Sequence, residues 1–131
     1  MNKKCINHPQ RRPDFVTGAY SDGVQIDGFL FISGQASIDF TTSDFILGSV
    51  EEETKRTLRN IQAIVETSGG TLDDVVKVNA YLSDIGNFNR FNQAYSEFFT
   101  NGVKPARTTI GCQLAEGIKV EIDCIVKLPV Q

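Results

Sequence analysis

Arg107 stands at the start of an extended run, Lys104-Pro105-Ala106-Arg107-Thr108-Thr109. A guanidinium is a planar fork of donors, suited to gripping a carboxylate through two parallel hydrogen bonds. Glu121 lies on the polar side of the last alternating run of the chain. A carboxylate in such a place can orient or deprotonate a water molecule. If the runs at 107–113 and 118–128 pair as an antiparallel hairpin around Cys112 to Glu116, the two side chains approach each other. The same residues also fit a plain ion pair on adjacent strands, the commoner arrangement, which adds little stability. Other chemistries find less support. There is no P-loop and no GxGxxG, and Ser33-Gly34 lacks the spacing of a nucleophile elbow. Cys5, Cys112 and Cys124 are odd in number with no C-x-x-C, and His8 is the one histidine. A disulfide framework, a bound metal and a Ser-His-Asp triad are therefore not expected.

The elements that must hold Arg107 and Glu121 are legible from hydrophobic spacing. Residues 1–14 read as a polar arm with little to bury. Val24-Gln25-Ile26 and Phe29-Leu30-Phe31-Ile32 flank Asp27-Gly28, the signature of a hairpin with a type I′ turn. Residues 35–48 suggest a short strand and a loop. Ser49 with Glu52 forms a capping box, Val50, Leu58, Ile61, Ile64 and Val65 make an apolar stripe, and Gly69-Gly70 stops the helix predicted over 49–68. Alternation predicts a strand over 76–82. The stripe Phe88, Phe91, Tyr95, Phe98 and Phe99 predicts a second helix over about 86–100, with its aromatic residues in the core. Strands follow at 107–113 and at about 118–128. The order β-β-β-α-β-α-β-β implies a single α+β domain, a mixed sheet of about six strands with both helices packed on one face. The other face then carries Lys77, Asn79, Tyr81, Glu121 and Asp123, open to water or to other subunits around an axis.

The length of 131 residues suits one domain with its own core, and the 40% hydrophobic and 22% charged residues are those of an ordinary globular protein. Net charge is −3, but Lys3, Lys4, Arg11 and Arg12 are concentrated in the first 14 residues beside Asp14. The rest sets 9 basic residues against 15 acidic ones, a balance of −6. Such a body works against nucleic-acid binding. No run of 18 apolar residues suggests a membrane span, and the N-terminus lacks the apolar stretch of a signal peptide, which makes the cytoplasm the expected compartment.

A series of strings runs along most of the chain: Gly18-Ala19-Tyr20-Ser21, Phe29-Leu30-Phe31-Ile32-Ser33-Gly34-Gln35, Asn60-Ile61-Gln62-Ala63-Ile64-Val65-Glu66, Asp73-Asp74-Val75-Val76-Lys77, Asn92-Gln93-Ala94-Tyr95-Ser96-Glu97-Phe98-Phe99, Pro105-Ala106-Arg107-Thr108 and Lys119-Val120-Glu121-Ile122. In this order and spacing they resemble the RidA family of enamine and imine deaminases, the YjgF-type proteins, from about Gly18 to Lys127. The resemblance implies a chorismate-mutase-like fold assembled as a homotrimer, with a central barrel and clefts between subunits. It implies hydrolysis of 2-aminoacrylate, 2-iminopropanoate and 2-iminobutanoate to a 2-keto acid and ammonia, without cofactor or metal. Arg107 matches the residue that grips the substrate carboxylate, and Glu121 the acid that positions water. Tyr20, Ser33, Gly34, Asn92 and Thr109 match positions lining the ligand, the last through its backbone. Each has a plainer reading as well: Tyr20 packing beside the hairpin, Ser33 satisfying a strand end, Gly34 serving a bulge, Asn92 merely exposed. The non-enzymatic alternative is a module that binds small carboxylates and regulates another protein.

Overall fold

The Asp27-Gly28 turn is formed as the sequence predicts, with φ of 53° and 79° at its two residues. Positive φ at both central positions is what a type I′ turn requires. The computed structural model describes residues 2–12 and 18–130. Its elements in chain order are β1 (Lys4–Ile6), β2 (Gly23–Ile26), β3 (Phe29–Gln35), β4 (Ile38–Asp39), β5 (Asp44–Phe45), α1 (Val50–Thr67), β6 (Val75–Leu82), α2 (Phe88–Ser96), β7 (Ala106–Gly111) and β8 (Val120–Lys127). Single 3₁₀ turns sit at Leu72–Asp74, Ile85–Asn87 and Ala115–Gly117.

The main sheet has six strands in the order β1-β2-β3-β8-β6-β7, and β4 and β5 form a separate two-stranded ribbon. All neighbours are antiparallel except β6 and β7. The last strand in sequence lies in the middle. Its residues Val120, Ile122, Cys124 and Val126 are buried and face the core, with Leu128 just beyond the strand, and Ile118 before it is buried as well. Leu30 and Ile32 join them from β3, and Val78, Ala80 and Leu82 from β6. Leu58, Ile61, Ile64 and Val65 of α1 pack against this face, with Phe91, Tyr95 and Phe99 of the α2 region. The architecture is thus the α+β layer expected, two helices on one face of a mixed sheet.

Three expectations need correction. Residues 107–113 and 118–128 do not pair as a hairpin. The helix α2 separates β6 from β7, so the chain is returned to the starting end of the sheet and β7 must run parallel to β6. β8 then pairs on the other side of β6 and places a whole strand between Arg107 and Glu121. The N-terminal arm does bury groups. Its β1 adds to the edge of the sheet beside β2, and His8 is buried, its ring stacked 3.9 Å from that of Phe40. Arg11 donates from Nε and Nη2 to the buried carboxylate of Asp22, at 2.6 and 2.5 Å. Met1, Pro13 and Asp14 of that arm lie outside the described residues. The second helix is also shorter than the aromatic stripe, ending at Ser96; Phe99 is buried from the turns beyond it, whereas Phe88 is partly exposed.

α1 begins as its sequence dictates. The Ser49 hydroxyl accepts from the Glu52 amide, and the Glu52 carboxylate accepts from the Ser49 amide. Glu53 does more than face the positive end of the helix dipole. Fully buried, it accepts from the amides of Gly48 and Lys119 and from the Lys119 Nζ, at 3.1, 2.8 and 3.2 Å. One carboxylate thereby ties the start of α1 to the segment leading into β8, the strand that carries Glu121.

Candidate active site

Arg107 is in register with buried Val78 and so faces the helices. Its guanidinium lies over three rings of α2, with 4.6 Å to the centroid of Tyr95, 5.4 Å to Phe91 and 5.6 Å to Phe88. Cation–π contact holds the charge without neutralising it. Among the described residues no carboxylate pairs with it. Burial pushes the Tyr95 hydroxyl up to about 12, against the lowering influence of Arg107, so the ring presents a neutral phenol to the cation. The aromatic stripe that spacing assigns to the core thus also forms the platform of the arginine. Its signal in the sequence is the recurrence of Phe88, Phe91 and Tyr95 every three or four residues on one helix face. Beside Arg107 is a cavity of about 340 Å³, lined by Asn92, Tyr95, Ser96, Phe99, Lys104 and Pro105. Thr109, two residues on and in register with Ala80, shares that side of β7. Its hydroxyl is buried with no hydrogen-bond partner among the described residues.

Glu121 is in register with Tyr81 and points to the opposite, open face of the sheet. Burial is the main reason its carboxyl is raised above the ordinary carboxylate range, with the neighbouring charge of Asp123 adding to it. A bulge between Ile32 and Gln35 on β3 brings Gly34 against it. A Cβ on Gly34 would overlap Glu121 Oε2, so only glycine leaves the carboxylate its place. Ser33 in the same bulge donates its hydroxyl to the Ser21 carbonyl at 2.6 Å and its amide to the Asp22 carbonyl at 2.9 Å. Its plainer role, satisfying a strand end, is therefore present in the structure. Glu121, Gly34 and the exposed ring of Tyr20 line a second cavity, of about 150 Å³, with Arg11, Phe40 and Phe45 among its other walls.

The candidate residues therefore fall into two groups. Arg107, Asn92 and Thr109 belong to the helix side of the edge strand β7 and to α2. Glu121, Gly34, Ser33 and Tyr20 belong to the centre of the sheet and its open face. Within one chain they do not meet. A pocket bordered by the Arg107 cation and a pocket bordered by the Glu121 carboxylate therefore lie on opposite faces of one sheet. Among the described residues no cluster of His, Cys, Asp and Glu has the makings of a metal site, and all three cysteines are free. No helix among them is long and apolar enough to cross a membrane.

Residues 10–128 match the family described as Endoribonuclease L-PSP, and the chain belongs to that family, the one that contains the RidA proteins. A RutC family protein of Pyrococcus abyssi is 39% identical over 109 residues, covering 82% of this chain and 85% of that protein. A 2-iminobutanoate/2-iminopropanoate deaminase of Dermatophagoides farinae is 36% identical over 110 residues, covering 83% and 85%. The crystal structure of E. coli TdcF with bound serine superposes with a TM-score of 0.84 at 28% identity, covering 96% of this chain and 99% of that one.

Proposed function

We propose that this protein hydrolyses short 2-imino acids, 2-iminopropanoate and 2-iminobutanoate, to 2-keto acids and ammonia. We further propose that its sites form where the Arg107 side of one protomer meets the Glu121 side of the next in a homotrimer. The observation that carries this is the Arg107 cation, fixed on three rings, turned away from Glu121 and with no carboxylate paired to it among the described residues. A guanidinium so held is ready for an external carboxylate, and a second chain supplies the acid that its own chain does not bring. The relative named as an imine deaminase supports the reaction class. The bound serine of TdcF supports a ligand bearing a small carboxylate in this family.

In this reading the Arg107 fork grips the substrate carboxylate and so fixes the position of the C=N carbon. Glu121 holds a water about 3 Å from that carbon and accepts a proton from it as the C–O bond forms. The imine nitrogen takes up protons from Glu121 and from the new hydroxyl. The C–N bond then breaks, ammonia leaves and the carbonyl of the keto acid remains. Both hydrogens of the water end on ammonia, and Glu121 returns to its carboxylate. Gly34 and Ser33 shape the floor beside the water, Tyr20 and Asn92 border the ligand, and the Thr109 backbone faces the imine nitrogen. No cofactor is required, because an imine already reacts with water and needs orientation more than activation.

The test is keto acid release from an imine generated in situ by an amino-acid oxidase, following the decay of the imine with and without protein. Wild type speeds release and Arg107→Ala abolishes the acceleration. An undiminished rate in Arg107→Ala removes the carboxylate fork. Tight keto acid binding with no acceleration replaces the enzyme with a small-carboxylate-binding module.

A further inference from the structure

On the open face of the sheet, Asp123 lies two residues beyond Glu121 and therefore on the same side of β8, about 6–7 Å along the strand. Its two oxygens are each taken by a neutral donor on β6, Asn79 Nδ2 to Oδ1 and the Tyr81 hydroxyl to Oδ2, both at 2.9 Å. Tyr81 is itself the residue in register with Glu121, and Asn79 is in register with Asp123. Two strands thus fix one carboxylate, in one orientation, beside another. Neither donor carries a charge, so nothing in the network neutralises Asp123. A surface acid of ordinary purpose would be free to turn into solvent, but this one is held from both ends.

We propose that Asp123 is a positioning residue for Glu121: the Asn79–Asp123–Tyr81 network holds a negative charge against the water-handling carboxylate and thereby makes it a stronger base. This deepens the deaminase reading and, where it concerns turnover, rests on it. Within the chain, the other groups around Glu121 do not supply the same effect, and the Arg107 that the deaminase reading brings from the next protomer carries the opposite charge. Across β6, Tyr81 is a neutral phenol whose own proton is held more firmly by its bond to Asp123. From β3, Gly34 brings no side chain. In the adjoining cavity the Arg11–Asp22 pair sets one charge against the other at hydrogen-bond distance. Burial is the larger reason for the raised affinity of Glu121 for a proton, and Asp123 is left as the fixed like charge that adds to it. A carboxylate poised closer to neutrality takes a proton from water and returns it to the departing nitrogen with less mismatch.

The test compares wild type with Asp123→Asn, which removes the charge and keeps the shape, and Asp123→Glu, which keeps the charge. Carboxyl ¹³C NMR on the intact protein without substrate follows the protonation of Glu121. Its inflection moves to lower pH in Asp123→Asn and returns toward wild type in Asp123→Glu. In the imine assay the acidic limb of the kcat profile moves in the same direction, with KM little changed because Arg107 is untouched. An inflection that stays or rises in Asp123→Asn overturns the inference and leaves the deaminase reading standing. A wild type that does not accelerate imine hydrolysis overturns that reading instead, and the NMR arm still decides whether Asp123 acts on Glu121.

Discussion

Alanine at Gly34 separates the geometry of the water-handling half-site from the stability of the fold. The added Cβ would occupy the space now held by Glu121 Oε2 and press on its Cδ and Cγ. The obstacle is the far end of a flexible side chain, so the strain is relieved by turning Glu121 aside rather than by opening the sheet. Glu121 is half-buried and Gly34 has no positive φ, so the backbone accepts alanine. The loss of stability should stay under about 1 kcal/mol, a change in Tm of about 4 °C or less for a chain of this size. The carboxylate, however, must move by about 1 Å or more, and a misplacement of that order lowers kcat about 100-fold. In the proposed site the substrate carboxylate is gripped by Arg107 of the neighbouring protomer, which the substitution leaves unchanged, so KM should change by less than about threefold. Steady-state kinetics on an imine generated in situ, with calorimetry on the same preparation, reads both quantities. A Gly34→Ala protein with wild-type kcat would refute the placement of Glu121. One that loses its fold would refute the claim that only a side chain gives way.

Further outcomes follow from the buried polar groups. Glu53→Ala leaves the amides of Gly48 and Lys119 without their acceptor in a closed space and should lower stability by about 3 kcal/mol, read as a shift of the urea midpoint at constant slope. His8 is held below its ordinary value of 6.5, mainly by burial against Phe40. Its folded form binds a proton less readily than its unfolded form, so its contribution is fully present above pH 6.5 and is lost as pH falls from there through the depressed value. Urea titrations between pH 7.5 and 5 should show that loss in wild type and a flatter profile in His8→Phe, which keeps the stacking.

The parts of this fold that sequence makes legible are those fixed by neighbours along the chain. Ser49 and Glu52 announce the start of α1, Asp27-Gly28 the tight turn, and the alternation from Ile118 to Leu128 the central strand, because caps, turns and alternation are local physics. The order of strands is not local. Arg107 and Glu121 are 14 residues apart, yet β6, from far earlier in the chain, lies between their strands. Burial of the arm was hidden for a similar reason. His8 and Arg11 look like solvent-facing residues until Phe40 and Asp22 are brought against them from distant loops. Arg107 and Glu121 stand out by residue type and by their place in extended runs, Tyr20, Ser33, Gly34, Asn92 and Thr109 only through the family strings, and their division between two faces shows only in the register.

That division gives the most direct test of the account. Arg107→Ala and Glu121→Ala should each be inactive alone. If every site takes Arg107 from one protomer and Glu121 from the next, random 1:1 reassembly of the two variants leaves one interface in four with both residues intact, and activity should return to about a quarter of wild type. Recovery of that size after mixed refolding, with none in either variant refolded alone, is the predicted result. A mixture that stays as inactive as its components would show that the two residues serve no common site across protomers.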